Sequence, residues 1–181
     1  MMPFANPEQA RFRRVKVGVF LLRFLAFVLC VAALIAMLTS RQLNAVAVAI
    51  PGLELENSAD YGYSKAFTYI ITATSISAAY ALLQGARSLT TMSLGLRTGW
   101  FTLLGDQVMT YLLLAAGAAA TEVVYTGEKG QRTAVWIAQC VIFSRFCKHV
   151  IASILFTFVA TIVLSISTIV SAYELFHRYR S

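Results

Sequence analysis

Four long apolar runs decide what this chain can fold into: Val17–Leu38, Ala66–Ala86, Trp100–Thr121 and Val150–Tyr173. Each has at least 21 residues, and roughly 20 helical residues suffice to cross about 30 Å of hydrocarbon. Together they span 89 of the 181 residues yet hold only two of the 23 charged side chains. The overall charged fraction of 13% is thus an average over two unlike populations. The remaining residues are charged at close to the soluble norm of about 25%. Membrane strands alternate apolar and polar residues over about 9–11 positions, a pattern these unbroken runs do not follow. The first run follows a basic start (Arg11, Arg13, Arg14, Lys16), as a signal peptide would. It is too long for one, however, and no small-x-small cleavage site follows it. The expectation is an all-α, four-transmembrane-helix bundle with helices at about 17–38, 66–86, 100–121 and 150–173.

The net charge of +7 raises the question of a nucleic-acid partner, so the charges must be placed. Eight of the Lys and Arg residues lie in the tails, 1–16 and 174–181, and in the short loop 87–99. Six lie in the two longer loops, 39–65 and 122–149. The positive-inside rule then puts both termini and the short loop in the cytoplasm and the long loops outside. The basic tail reads as a topology signal with affinity for anionic lipid. No interleaving of aromatic and basic residues points to nucleic acid. Within the first outer loop, Ala45–Ile50 reads as a short strand or interfacial segment, followed by a turn at Pro51-Gly52. The second turns around Gly127-Glu128-Lys129-Gly130, and its apolar stretch Ala134–Phe146 reads as an outward extension of the fourth helix or a surface segment. Trp100, Trp136 and Tyr173 fit an interfacial aromatic belt.

The two charges inside the runs are the most informative residues. Arg23 lies six residues into the first run and Asp106 six into the third. Both helices run in the same direction, so both charges sit about 9 Å into the membrane from one face. An isolated charge in hydrocarbon costs several kcal/mol, which favours an ion pair over Arg23 snorkelling above a protonated Asp106. The pair reads as structural. A proton relay would need a second acid, Lys or His within the membrane to receive the proton.

Small residues recur every four positions, at Ala73, Ser77, Ala81 and Gly85 in the second helix and at Ser153, Thr157, Thr161 and Ser165 in the fourth. Each set occupies one helix face, where small side chains let backbones approach. Helix packing, within the bundle or between subunits, is the default reading. A channel or transporter path using Asp106 and the hydroxyl stripe of the fourth helix is the alternative. Of the three cysteines, Cys30 reads as a small packing residue. Cys140 and Cys147 stand seven apart in the second outer loop and are either bridged or free. One straight helix would separate them by about 10 Å, so a bridge requires a bend. His149 and His177 fall at opposite faces of the membrane. No catalytic, cofactor-binding or metal-ligating constellation emerges, and the chain does not read as an enzyme.

Several segments resemble the Casparian strip membrane domain proteins and their CASP-like relatives of plants. They include Leu22-Arg23-Phe24-Leu25-Ala26 and Asp106-Gln107-Val108-Met109-Thr110-Tyr111-Leu112. Ala66-Phe67-Thr68-Tyr69, Ala79-Tyr80, Ala115–Ala118, Thr121-Glu122-Val123, the 127–130 loop, and Trp136, Cys140, Phe146 and Cys147 follow in order. Leu175-Phe176 and Tyr179 match the family's C-terminal end. The first outer loop, Leu43–Tyr63, lacks the aromatic and acidic signature of the members that build the strip itself. The resemblance implies a MARVEL-like four-helix protein of the plasma membrane that forms homo-oligomers and hetero-oligomers with related CASP-like proteins. It also implies a scaffold that organises a membrane domain or recruits cell-wall-modifying enzymes. The residues themselves point to no cofactor and no nucleic-acid partner.

Overall fold

The computed structural model describes residues 7–40, 42–45, 56–59, 64–90, 96–129, 140 and 144–180. Four helices dominate: α1 (Pro7–Leu38), α2 (Lys65–Thr90), α3 (Leu96–Lys129) and α4 (Ser144–Arg180). All four are long and apolar enough to cross a membrane. An even number of crossings places both chain ends on one face, here called the terminal face, and the long connections on the loop face.

Local chemistry sets several of the helix ends. Pro7 opens α1, where a missing N–H removes nothing because the first amides have no intrahelical partner. At the other end Thr39 Oγ1 donates to Ile35 O and Ser40 Oγ to Met37 O, adding a second donor to carbonyls that already accept the Thr39 and Ser40 amides. Ser64 caps α2, its hydroxyl accepting from the Ala66 amide. A basic residue, Lys129, closes α3, where the helix dipole favours positive charge.

The helices form a closed ring in which α1 packs on α2, α2 on α3, α3 on α4 and α4 on α1. α1 and α3 therefore face each other across one diagonal, and α2 and α4 across the other. Near the loop face the interior is filled by Met37, Phe67, Ile70, Ala116, Val150 and Ile154. Toward the terminal face a second cluster brings Ala26, Cys30, Leu113, Ala160 and Leu164 together. Leu21, Phe24, Leu83, Phe101, Leu155 and Ile169 point outward. An apolar exterior around a close-packed interior is the arrangement lipid requires, since hydrocarbon offers those side chains a solvent as apolar as themselves.

The helices outrun the apolar runs that foretold them. α1 begins within the basic tail, and α3 continues eight residues beyond Thr121. The expected turn at Gly127-Glu128-Lys129-Gly130 is corrected accordingly, because helix persists through Lys129. Hydrophobicity marks the hydrocarbon boundary, not the end of hydrogen bonding. Val123 and Val124 still pack on the core, and a glycine such as Gly127 costs a helix only about 1 kcal/mol relative to Ala. α4 likewise starts at Ser144, inside the apolar stretch Ala134–Phe146. The first long connection contains an antiparallel ribbon, β1 (Gln42–Ala45) with β2 (Glu56–Ala59), pairing Gln42 with Ala59 and Ala45 with Glu56. Only Ala45 of the Ala45–Ile50 run falls in it; the rest of that run, the Pro51-Gly52 turn and Trp136 lie outside the described residues.

Candidate functional site

The two intramembrane charges meet. Arg23 Nη2 donates to Asp106 Oδ2 at 2.6 Å, with both side chains buried. The pair spans the α1–α3 diagonal, and this explains why an arginine makes it. Neighbouring helices pack about 8–10 Å apart, so the diagonal of a four-helix square is about 11–14 Å, and only a long side chain can reach a short acid across it. A charge-assisted bond of this kind is roughly twice as strong as a neutral one, and it holds together two helices that otherwise scarcely touch.

The carboxylate has a second partner, from a third helix. The Tyr80 hydroxyl of α2 donates to Asp106 Oδ1 at 2.8 Å. It also lies 3.1 Å from the Thr102 carbonyl, but with a single proton to give it favours the shorter, charged acceptor. Gln84, one turn further along α2, donates from Nε2 to the Tyr80 oxygen at 3.1 Å. Both carboxylate oxygens are thereby engaged, and a hydrogen-bonded chain runs from Asp106 through Tyr80 to Gln84, toward the terminal face. Gly105 makes room for it. A Cβ at that position would fall 2.5 Å from the Tyr80 hydroxyl oxygen and 3.1 Å from two ring carbons.

Tyr80, Gln84 and Gly105 are site residues that the sequence reading passed over, although a signal for Tyr80 was present. The second apolar run ends on the terminal face at Ala86, and Tyr80 stands six residues inside that edge. That is the same depth at which Arg23 and Asp106 stand in their own runs.

The small residues of both stripes turn inward. Ala73, Ser77 and Ala81 of α2 are buried, as are Ser153, Thr157 and Thr161 of α4. Gly85 is buried against the ring of Phe20, and Ser165 is half-buried. Ser77 Oγ donates to Met109 Sδ, and Ser153 Oγ crosses to the Ala33 carbonyl of α1 at 2.8 Å. The hydroxyls of Thr157, Thr161, Ser165 and Thr168 each donate to the carbonyl one turn earlier in α4. They spend their protons on their own backbone, which lets them sit in a dry interface.

The remaining sequence candidates separate cleanly. Cys140 and Cys147 form a disulfide with a Cα–Cα distance of 5.7 Å, about half the roughly 10 Å of a straight helix. Cys140 Sγ sits beside Gly127, joining the end of α3 to the start of α4. Cys30 is a free, fully buried thiol in the core. His149 and His177 lie 28 residues apart on α4, about 42 Å. Trp100 and Phe176 meet edge to face at the terminal end, and Tyr173 is exposed there. Among the described residues no group of His, Cys, Asp and Glu could hold a metal ion.

The chain is similar to known proteins over most of its length. A family model described as Casparian strip membrane protein domain matches residues 12–163. CASP-like protein 2U5 of Selaginella moellendorffii is 36% identical over 177 residues, covering 96% of this chain and 86% of that protein. CASP-like protein 2A3 of Picea sitchensis is 37% identical over 159 residues, covering 87% and 82%. For CASP-like protein 2A1 of Populus trichocarpa the identity is 35% over 161 residues, covering 89% and 75%. No solved structure matches the chain.

Proposed function

The chain belongs to the Casparian strip membrane protein domain family, and from that premise we propose a non-enzymatic scaffold of the plasma membrane. In this reading both termini are cytoplasmic. The protein forms homo-oligomers and mixed oligomers with related CASP-like proteins. The assembled patch organises a membrane domain or recruits cell-wall-modifying enzymes through its outer loops. The family is described as a membrane protein domain, not by a reaction.

The observation that carries the oligomeric part is the outward face of α2. Its inward stripe is used up inside the bundle, yet Thr72, Ser75, Ala79 and Ala86 face away from it. They form a second small-residue face at helical spacing. Thr72 and Ser75 donate to carbonyls of their own helix, so neither needs water. Small, internally satisfied faces allow close helix–helix approach in lipid, where packing rather than the hydrophobic effect drives association. A solute path along α4 has less support, since the hydroxyls of Thr157, Thr161 and Ser165 are already committed to backbone carbonyls.

Photobleaching recovery of a tagged chain, combined with crosslinking in native membranes, tests the proposal. A slowly recovering patch with a ladder of crosslinked species is expected, and Ser75→Leu/Ala79→Leu should shorten the ladder. A freely diffusing monomer would overturn it.

A further inference from the structure

Two buried polar atoms lack a hydrogen-bond partner among the described residues: Arg23 Nε and Ser167 Oγ. Both side chains are more than nine-tenths buried, at 5% exposure for Arg23 and 0% for the whole of Ser167. Native proteins leave few such groups unpaired, because a buried, unsatisfied donor or acceptor carries its full desolvation penalty. In a membrane no bulk solvent stands nearby to relieve it.

The two orphans belong to one level of one interior. Ser167 lies six residues inside the terminal-face end of the fourth apolar run at Tyr173. Arg23, Tyr80 and Asp106 hold the same position in the other three runs. Helix contacts relate the levels: the bond of Ser153 to Ala33 sets Ser167 about 6 Å, one turn, nearer the terminal face than the Arg23 backbone, an offset that an arginine side chain leaning toward its own helix N-terminus spans. Gly99 faces Leu175 and Gly117 faces Phe158, which sets Ser167 within about 3 Å of Asp106 along the bundle axis. Arg23 and Asp106 span one diagonal of the ring, Tyr80 closes on the carboxylate from α2, and α4 brings two buried hydroxyls to this level, Thr168, which donates to Leu164 O, and Ser167. All four helices thus bring polar side chains to a single depth.

The Ser167 hydroxyl is also free to serve this site. Thr157, Thr161, Ser165 and Thr168 donate to α4's own carbonyls, while Ser153 reaches across to α1. Among these buried or half-buried hydroxyls of α4, Ser167 alone makes neither kind of bond.

We propose that Arg23 Nε and Ser167 Oγ bind one ordered water, the fifth member of a polar node contributed by all four helices. The ligand class follows from the donors. Nε–H can only donate, so the ligand must accept there; the hydroxyl can donate to the ligand or accept from it. The charges of Arg23 and Asp106 already compensate each other at 2.6 Å, so an ion would add an uncompensated charge, whereas a neutral single-atom donor and acceptor adds none. The water bonds Arg23 to α4 and leaves the pair with Asp106 intact.

The test is water-edited solid-state NMR on the full chain in lipid bilayers, with ¹⁵N-labelled arginine and the Arg23 signals assigned by their loss in Arg23→Lys. Magnetisation should pass from water to the Arg23 Nε–H much faster than to the Arg23 backbone amide, which lies in the same buried turn. In Ser167→Val, which fills the site, the fast transfer should vanish while the Nη signals keep the shifts of the carboxylate-paired state. In the milder Ser167→Ala it should weaken. Equal transfer to Nε–H and to the backbone amide in the unmodified chain overturns the proposal whether or not the variants fold. Fast transfer that survives Ser167→Val overturns the assignment of Ser167.

Discussion

Replacing Asp106 separates charge pairing from hydrogen bonding, because the two carboxylate oxygens have different partners. Asp106→Ala removes the counter-charge of a buried Arg23 and the acceptor of Tyr80 together. Stripping one member from a buried ion pair costs about 3–5 kcal/mol, or roughly two to four orders of magnitude in the folded-to-unfolded ratio. Asp106→Asn keeps an amide oxygen for Tyr80 but leaves Arg23 uncompensated, so it should lose most of what the alanine variant loses. The exchange Arg23→Asp/Asp106→Arg restores neutrality across the same diagonal. It leaves the Tyr80 hydroxyl without a carboxylate, however, so that it falls back on the neutral Thr102 carbonyl 3.1 Å away. A hydrogen bond to a charged group is worth about 1.5–3 kcal/mol, so the exchange should recover part of the loss and not all of it. The expected order of stability is unmodified chain, exchange, Asp106→Asn, Asp106→Ala. The assay is survival of the monodisperse peak after a heating series in detergent, read by fluorescence-detected size exclusion. An exchange no more stable than Asp106→Ala, or an Asp106→Ala that melts with the unmodified chain, would refute a stabilising pair.

Two further outcomes follow from the same geometry. Gly105→Ala drives a methyl to 2.5 Å from the Tyr80 oxygen and should cost about 1–3 kcal/mol through overpacking. Tyr80→Phe takes away the atom it strikes, so in a double-mutant cycle the double variant should lose less than the sum of the two single losses; strict additivity would place the clash elsewhere. The Cys140–Cys147 disulfide closes a short loop, and cross-linking a loop of that length is worth about 2.5 kcal/mol in the chain-entropy model. Maleimide–polyethylene glycol labelling in denaturant should add one adduct before reduction, at Cys30, and three after it. Cys140→Ser/Cys147→Ser should melt earlier in the same heating series. Three adducts without reductant would remove the bridge.

Hydrophobicity made the fold legible because lipid imposes one rule on every residue: a run of about 20 apolar positions must be helical to satisfy its backbone. The rule is silent beyond the hydrocarbon. It therefore missed the continuation of α3 through Gly127 and the ribbon of Gln42–Ala45 with Glu56–Ala59, where chain-specific packing and pairing decide. The sequence leaves the disulfide open because seven residues span too far on a straight helix, and only the fold supplies the bend.

The polar node was half visible for a related reason. Arg23 and Asp106 stand out because charge is rare in the runs, whereas Tyr80, Gln84 and Ser167 are neutral and pass unnoticed in a search for charge. Depth is the better filter. Measured from the terminal-face edge of each apolar run, Arg23, Tyr80, Asp106 and Ser167 all stand at the sixth position inward, although two of the helices run up and two run down. Composition alone gives four antiparallel helices no reason to place a polar group at one common level. A bundle that must hold a diagonal ion pair about 9 Å inside hydrocarbon has such a reason. The carboxylate has a second oxygen to satisfy and the guanidinium has donors left over, and the two helices that do not carry the charges are the ones positioned to meet those needs. The charged pair thus constrains residues on all four helices, and its neutral neighbours are part of what keeps it inside the membrane.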